Sequence, residues 1–239
     1  MNFKQNLQQS VIENSSFSMP WLSGTDAVET IISKTFFWMW IVLLTVFGVW
    51  YYTYSLVMDS SLTVQSLNTL SLVSIIVGFL LVLIMSTSWQ RISYWVLAVL
   101  LLVFWVFEWF GLAGIFLIYQ MTSIISIFLT TAIMFLLLAV IWNALKIDVA
   151  KWGTILLAWL LAIIIWMFIN MFWQNTEFNF VLNIVWLVIF SAFVIYDLNT
   201  LKLMAQSGDR RVELLMALSL FLTFINIFFT LLRLFGSRK

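Results

Sequence analysis

Near the end of the run SAFVIYDLNTLKL, residues 191–203, one carboxylate, Asp197, stands among side chains suited to hydrocarbon. An acid in such a setting costs roughly 2.5–3.5 kcal/mol on insertion scales, so it ordinarily marks a paired site, a proton relay or an ion path. Downstream, Ser219, Thr223, Asn226, Thr230 and Arg233 recur at steps of four, three, four and three, the spacing of one helical face. A polar stripe is wasteful against lipid, so this face is expected to point into a helix bundle, where interhelical hydrogen bonds or a wet cavity satisfy it. The helix that carries the stripe should then be central. Asn199, two residues beyond the acid, joins Ser219, Asn226 and Thr230 as an expected bundle-lining polar group. Glu108, in FWVFEWFGL, lies at the end of an apolar run and is expected at a solvated interface.

Other chemistries lack their residues. The chain has no Cys and no His, which removes thiolate nucleophiles, disulfides, the commonest metal ligand and the usual general base. A retinal protein needs a lysine inside its last helix, and none lies between Arg211 and Lys239. A membrane protease needs a Ser/His pair, two intramembrane aspartates or a zinc motif. Enzymatic activity is therefore not expected, and neither a catalytic residue, a cofactor nor a resident metal is assigned.

The elements that must position Asp197 follow from composition. With 64% hydrophobic and 9% charged residues, 14 Trp and 23 Phe, the chain belongs in a membrane. A hydrocarbon core about 30 Å thick takes roughly 20 apolar residues per helix, so 239 residues supply about seven crossings. Apolar runs place them at 35–57, 68–87, 92–110, 116–144, 154–173, 178–201 and 213–235. The fourth is interrupted by YQMTSIISIFLTT, and its true start could lie some residues later. The domain reading is a polar N-terminal segment over 1–33, cytoplasmic and not a cleaved signal peptide, then one seven-helix transmembrane domain over 34–239. Asp26 and Glu29 resemble a capping box ahead of the first run. Net charge near zero, without a basic block, argues against a nucleic-acid partner and leaves the lipid bilayer as the expected surroundings.

Lys4, Lys34, Arg91, Lys146, Lys151, Lys202, Arg210 and Arg211 fall on one side of a seven-span arrangement, and the opposite connections carry no Lys or Arg. This predicts the N-terminus inside and the C-terminus outside, although Arg233, Arg238 and Lys239 follow the last span; the alternative is a final segment that turns back without crossing. Trp50, Trp89, Trp109, Trp142, Trp152 and Trp173 sit at run ends, as interfacial aromatics do.

The last two spans form a hairpin through QSGDRR, where Gly208 suits a left-handed helix end and Asp209 suits a cap. With the turn centred near residue 210, Asp197 and Thr223 are each thirteen positions away and could face each other at equal depth. Arg91 and Lys202 are possible counter-ions.

VIYDLNTLK followed by ELLMALSLFLTFINIFFTLLRLFG resembles the closing signature of the Bax inhibitor family, also called transmembrane Bax inhibitor motif proteins, over residues 190–236. NALKIDVAKWG at 143–153 is similar to the family's connection after its fourth span. The resemblance implies an all-α membrane protein of seven transmembrane helices, six surrounding a central C-terminal helix. It also implies a pH-sensitive leak of cations, chiefly calcium. In the family a pair of aspartates on the sixth and seventh helices is thought to sense pH; Asp197 matches the first, and Thr223 stands where the second would be. A hydroxyl can donate a hydrogen bond but brings no charge and no second titration. Two readings follow: a leak gated by one acid, with Asp197 and Thr223 as the gate, or a non-conducting regulator that binds a membrane protease or a stress or cell-death factor. A bacterial-type plasma membrane is the expected location, with endoplasmic reticulum as the alternative.

Overall fold

A computed structural model describes residues 24–59, 64–112, 114–145, 149, 152–173 and 176–239. Seven long helices fill these segments: α1 Gly24–Met58, α2 Val64–Ser88, α3 Tyr94–Leu112, α4 Met121–Leu145, α5 Trp152–Trp173, α6 Thr176–Ala205 and α7 Arg211–Phe235. In lipid a helix satisfies its backbone groups internally, and several hydroxyls within these helices also bond to their own helix. Thr35, Thr131 and Ser191, for example, each donate to the carbonyl four residues earlier on their own helix.

Among the described residues, five helices are long and apolar enough to cross a membrane, over Ala27–Thr45, Thr69–Ser88, Met121–Ala144, Phe180–Ala205 and Arg211–Phe235. Helices α3 and α5 add the shorter apolar stretches Tyr94–Glu108 and Trp152–Ala162. The expected boundaries hold within a few residues except at two starts. Helix α1 begins at Gly24, ahead of the boundary at 34, and its apolar span Ala27–Thr45 takes in Glu29 and Lys34. The proposed cap at Asp26 falls inside the first turn instead of before it, and its side chain lies outside the described residues, as do residues 1–23, Lys146 and Lys151. The fourth helix starts at Met121, because a single turn at Ile115–Ile118 ends in extended backbone at Tyr119.

Helix α7 differs from the rest in burial. Of its span 72% is buried, against 17–28% for the other four long spans. Its neighbours are chiefly α6, α1, α4 and α3, while α2 packs mainly on α3 and α5 on α6. Aromatic rings make much of this packing: Phe224 meets Trp40 of α1 and Phe128 and Phe135 of α4, and Phe221 meets Phe104 of α3 edge-on.

The two connections that flank α3 bind the two ends of α7. At its start, Arg211 Nη1 donates to the carbonyls of Trp89, Gln90 and Ile92 in the α2–α3 connection. At its end, Gln120 N donates to Ser237 O and Lys239 N to Ile118 O, forming an antiparallel bridge between Tyr119 and Arg238. The C-terminus therefore lies beside the α3–α4 connection, at the end of α7 opposite the α6–α7 turn.

Candidate functional site

The α6–α7 turn sets the register of the site. Gly208 takes φ +70, a conformation an L side chain rarely adopts, and its N–H donates to Ala205 O at 3.1 Å as α6 ends. Asp209 Oδ1 then accepts from the backbone N–H of Arg211 at 2.9 Å and caps the start of α7. The Arg211 guanidinium also grips both Asp209 oxygens, at 2.6–3.0 Å. Burial alone would raise the Asp209 carboxyl, but the hydrogen bonds and charge of Arg211 outweigh it and hold it below the usual carboxylate range.

This tight turn brings α7 back against α6 with Asp197 opposite Ser219 and Thr223. Asp197 is 5% exposed. Thr223 Oγ1 donates to Oδ2 at 2.7 Å, and Ser219 Oγ donates to Oδ1 at 3.0 Å. The two donors stand one helical turn apart, so each satisfies one carboxylate oxygen. Hydrogen bonds to an ionised acceptor are about twice as strong as neutral ones, and this pair ties the last two helices together. Leu198, Leu201, Leu220, Phe221 and Phe224 are buried around it.

The rest of the polar stripe behaves differently. Asn226 Nδ2 donates to Leu222 O at 2.8 Å, and Thr230 Oγ1 to Asn226 O at 2.7 Å, so both satisfy themselves on their own helix. Asn199 is buried two residues beyond Asp197, with Nδ2 unpartnered among the described residues. Neither proposed counter-ion reaches the acid. Arg91 is exposed in the α2–α3 connection. Lys202 is exposed with Nζ 5.9 Å from the centroid of the Trp142 ring. Five residues along a helix rotate a side chain by about 140°, which turns Lys202 away from the face Asp197 uses. Among the described residues the ion pair is Arg211–Asp209. Glu108 is half-buried and approaches Gly78 of α2, where an added Cβ would stand 3.7 Å from Oε2.

Two residues were missed by sequence reading. Glu213, in the first turn of α7, is 1% exposed and accepts from Tyr94 Oη at 2.7 Å. An acid after two arginines suggests a solvated helix start. The available signal was its spacing from Ala217, Leu220 and Phe224, which places it on the apolar face. Arg211 was counted only as a charge, whereas it crosslinks two connections.

Chemically, the site can hold or exchange a proton at Asp197, and it presents four side-chain oxygens from Asp197, Ser219 and Thr223. Calcium takes six to eight oxygen ligands, so this set suits transient contact and not storage.

An all-helical integral membrane protein with a carboxylate locked between its last two helices is the class these features define. Residues 28–239 match the family described as Inhibitor of apoptosis-promoting Bax1, and the chain belongs to that family. It is 30% identical over 222 residues to the inner membrane protein YbhL of Escherichia coli, covering 89% of this chain and 93% of the relative. An uncharacterized protein of Borreliella burgdorferi is 32% identical over 179 residues, covering 72% and 77%. One of Deinococcus radiodurans is 27% identical over 218 residues, covering 89% and 93%.

Proposed function

We propose that this chain is a pH-sensitive cation leak, chiefly for calcium, in which Asp197 and its two hydroxyl donors form the gate. The arrangement is six helices around a central α7, with α3 and α5 also crossing, the N-terminus cytoplasmic and the C-terminus outside a bacterial-type plasma membrane. The observation that carries the reading is the buried carboxylate held by Ser219 and Thr223 across the α6–α7 interface. Ionised Asp197 accepts two charge-assisted hydrogen bonds and keeps the helices shut; a proton removes the charge, weakens both bonds and lets the interface part. One acid in place of two gives a shallower pH response. Orientation is supported by Arg91, Lys202, Arg210 and Arg211 gathering at the end opposite the C-terminus, and the membrane by the name of the Escherichia coli relative.

Purified protein in vesicles loaded with a calcium indicator tests the reading. Flux above that of empty vesicles, rising as pH falls from about 8 to about 5, is expected; no flux at any pH in that range rejects it.

Thr223 also supports a second reading, a non-conducting regulator bound to a membrane protease or stress factor, since the hydroxyl leaves the aspartate pair incomplete. Crosslinking in native membranes that captures no specific partner removes that alternative.

A further inference from the structure

Glu213 lies where the α2–α3 connection meets the α6–α7 turn. Its Oε1 accepts from Tyr94 Oη at 2.7 Å, and its Oε2 is buried with no hydrogen-bond partner among the described residues. The nearby cations are engaged elsewhere. Arg210 places its guanidinium 4.7 Å from the Tyr94 ring centroid. Arg211 holds Asp209, donates to the Trp89, Gln90 and Ile92 carbonyls at 3.4, 2.9 and 3.2 Å, and stands 5.7 Å from the Trp89 ring centroid. The contacts of Tyr94, Arg210 and Arg211 join the start of α3 and its preceding connection to the start of α7.

These contacts pull in opposite senses. Arg211 and Tyr94 favour the closed arrangement, because opening strips a charged donor of several acceptors at once. Glu213 opposes it, because a buried carboxylate with one unsatisfied oxygen carries a desolvation cost that water would relieve. The closed arrangement thus combines one strong clasp with one built-in penalty. Asp197, opposite Ser219 and Thr223, lies six to ten residues deeper along α7, about 9–15 Å.

We propose that Tyr94, Glu213 and Arg211 form a latch that shuts aqueous access to Asp197 from the α6–α7 turn end of the bundle. This rests on the leak reading for its purpose and adds the part that must open for ions to reach the gate from that face. Closed, it pins the α2–α3 connection over the end of the α6–α7 pair; open, it admits water and cations along α7.

The absence of Cys makes one reporter thiol a clean probe. Ala205, at the end of α6, is fully buried and close to Cys in size. In Ala205→Cys protein, modification by a charged, membrane-impermeant thiol reagent reads the open fraction. Tyr94→Phe leaves both Glu213 oxygens unsatisfied and should speed labelling by about tenfold, the weight of one charged hydrogen bond. Glu213→Gln removes the buried charge yet keeps an oxygen for Tyr94, and should slow labelling by a similar factor. Equal rates in all three backgrounds, or acceleration by both substitutions, overturns the latch, since a purely structural contact would loosen in either case. Helical circular dichroism and monodisperse elution identify an unfolded variant, and Arg211→Lys, expected to accelerate labelling, replaces Tyr94→Phe if that chain does not fold. Labelling requires no conduction, so absent calcium flux leaves this result standing, while normal flux with unchanged labelling rejects the latch alone.

Discussion

Thr223 Oγ1 donates a 2.7 Å hydrogen bond to Asp197 Oδ2 across the interface of the last two helices. At this depth of α7 the chain places a neutral donor, and the donor's partner is the acid of α6.

Removing that donor leaves a buried carboxylate oxygen unsatisfied. Thr223→Val, similar in shape but without the hydroxyl, is expected to destabilise the protein by about 1.5–3 kcal/mol. Ser219→Ala should cost less, because its bond is longer, at 3.0 Å, and its side chain less buried. Denaturant unfolding of the detergent-solubilised protein measures both; two near-neutral variants would mean that the hydrogen bonds do not hold the interface.

Placing a second acid beside Asp197 should change the shape of the pH response. Thr223→Asp places two carboxylates within contact, so that they share a proton and titrate as a pair. Vesicle flux recorded against pH should become steeper than in the unsubstituted protein. An unchanged slope would separate position 223 from gating.

The turn supplies a pH effect of its own. Arg211 lowers the folded-state pKa of Asp209, so the carboxylate adds stability that is fully present above its unfolded value of about 3.9 and is lost as pH falls through the lower folded value. The melting temperature of the wild type should fall on acidification below about pH 4. Asp209→Asn should melt lower at neutral pH and lose this component of the acid dependence. Parallel curves for the two proteins would remove the Asp209–Arg211 pair as its source.

At the opposite end, Gly236 allows the C-terminus to close on the α3–α4 connection. A Cβ at this position would collide with the Leu232 carbonyl and meet the Tyr119 ring at 2.8 Å. Gly236→Val is therefore expected to cost about 1–3 kcal/mol locally and to release the terminal bridge. Carboxypeptidase should then remove Lys239 and Arg238 several-fold faster than in the wild type, and an equal rate would show that the bridge survives.

Much of this architecture is written in hydropathy, because every crossing needs an unbroken apolar run. The depth match of Asp197 and Thr223 was equally legible, since the Gly208 turn fixes the register of an antiparallel pair. What lay out of reach depended on rotation and on contacts between distant segments. Asn226 and Thr230 share the stripe with Ser219 and Thr223, yet each bonds its own helix, and no spacing rule separates those outcomes. Lys202 is near Asp197 in sequence but faces elsewhere. Glu213 went unread because the partner that covers it, Tyr94, lies 119 positions earlier in the chain.

Calcium flux into vesicles carrying wild-type protein or Asp197→Asn, followed from about pH 8 to about pH 5, tests the gate most directly. Asparagine cannot carry the charge that locks α6 to α7, so the account predicts a leak in the variant that is high at every pH, while the wild-type leak rises as the medium becomes acidic. A wild-type profile that the substitution leaves unchanged would contradict it.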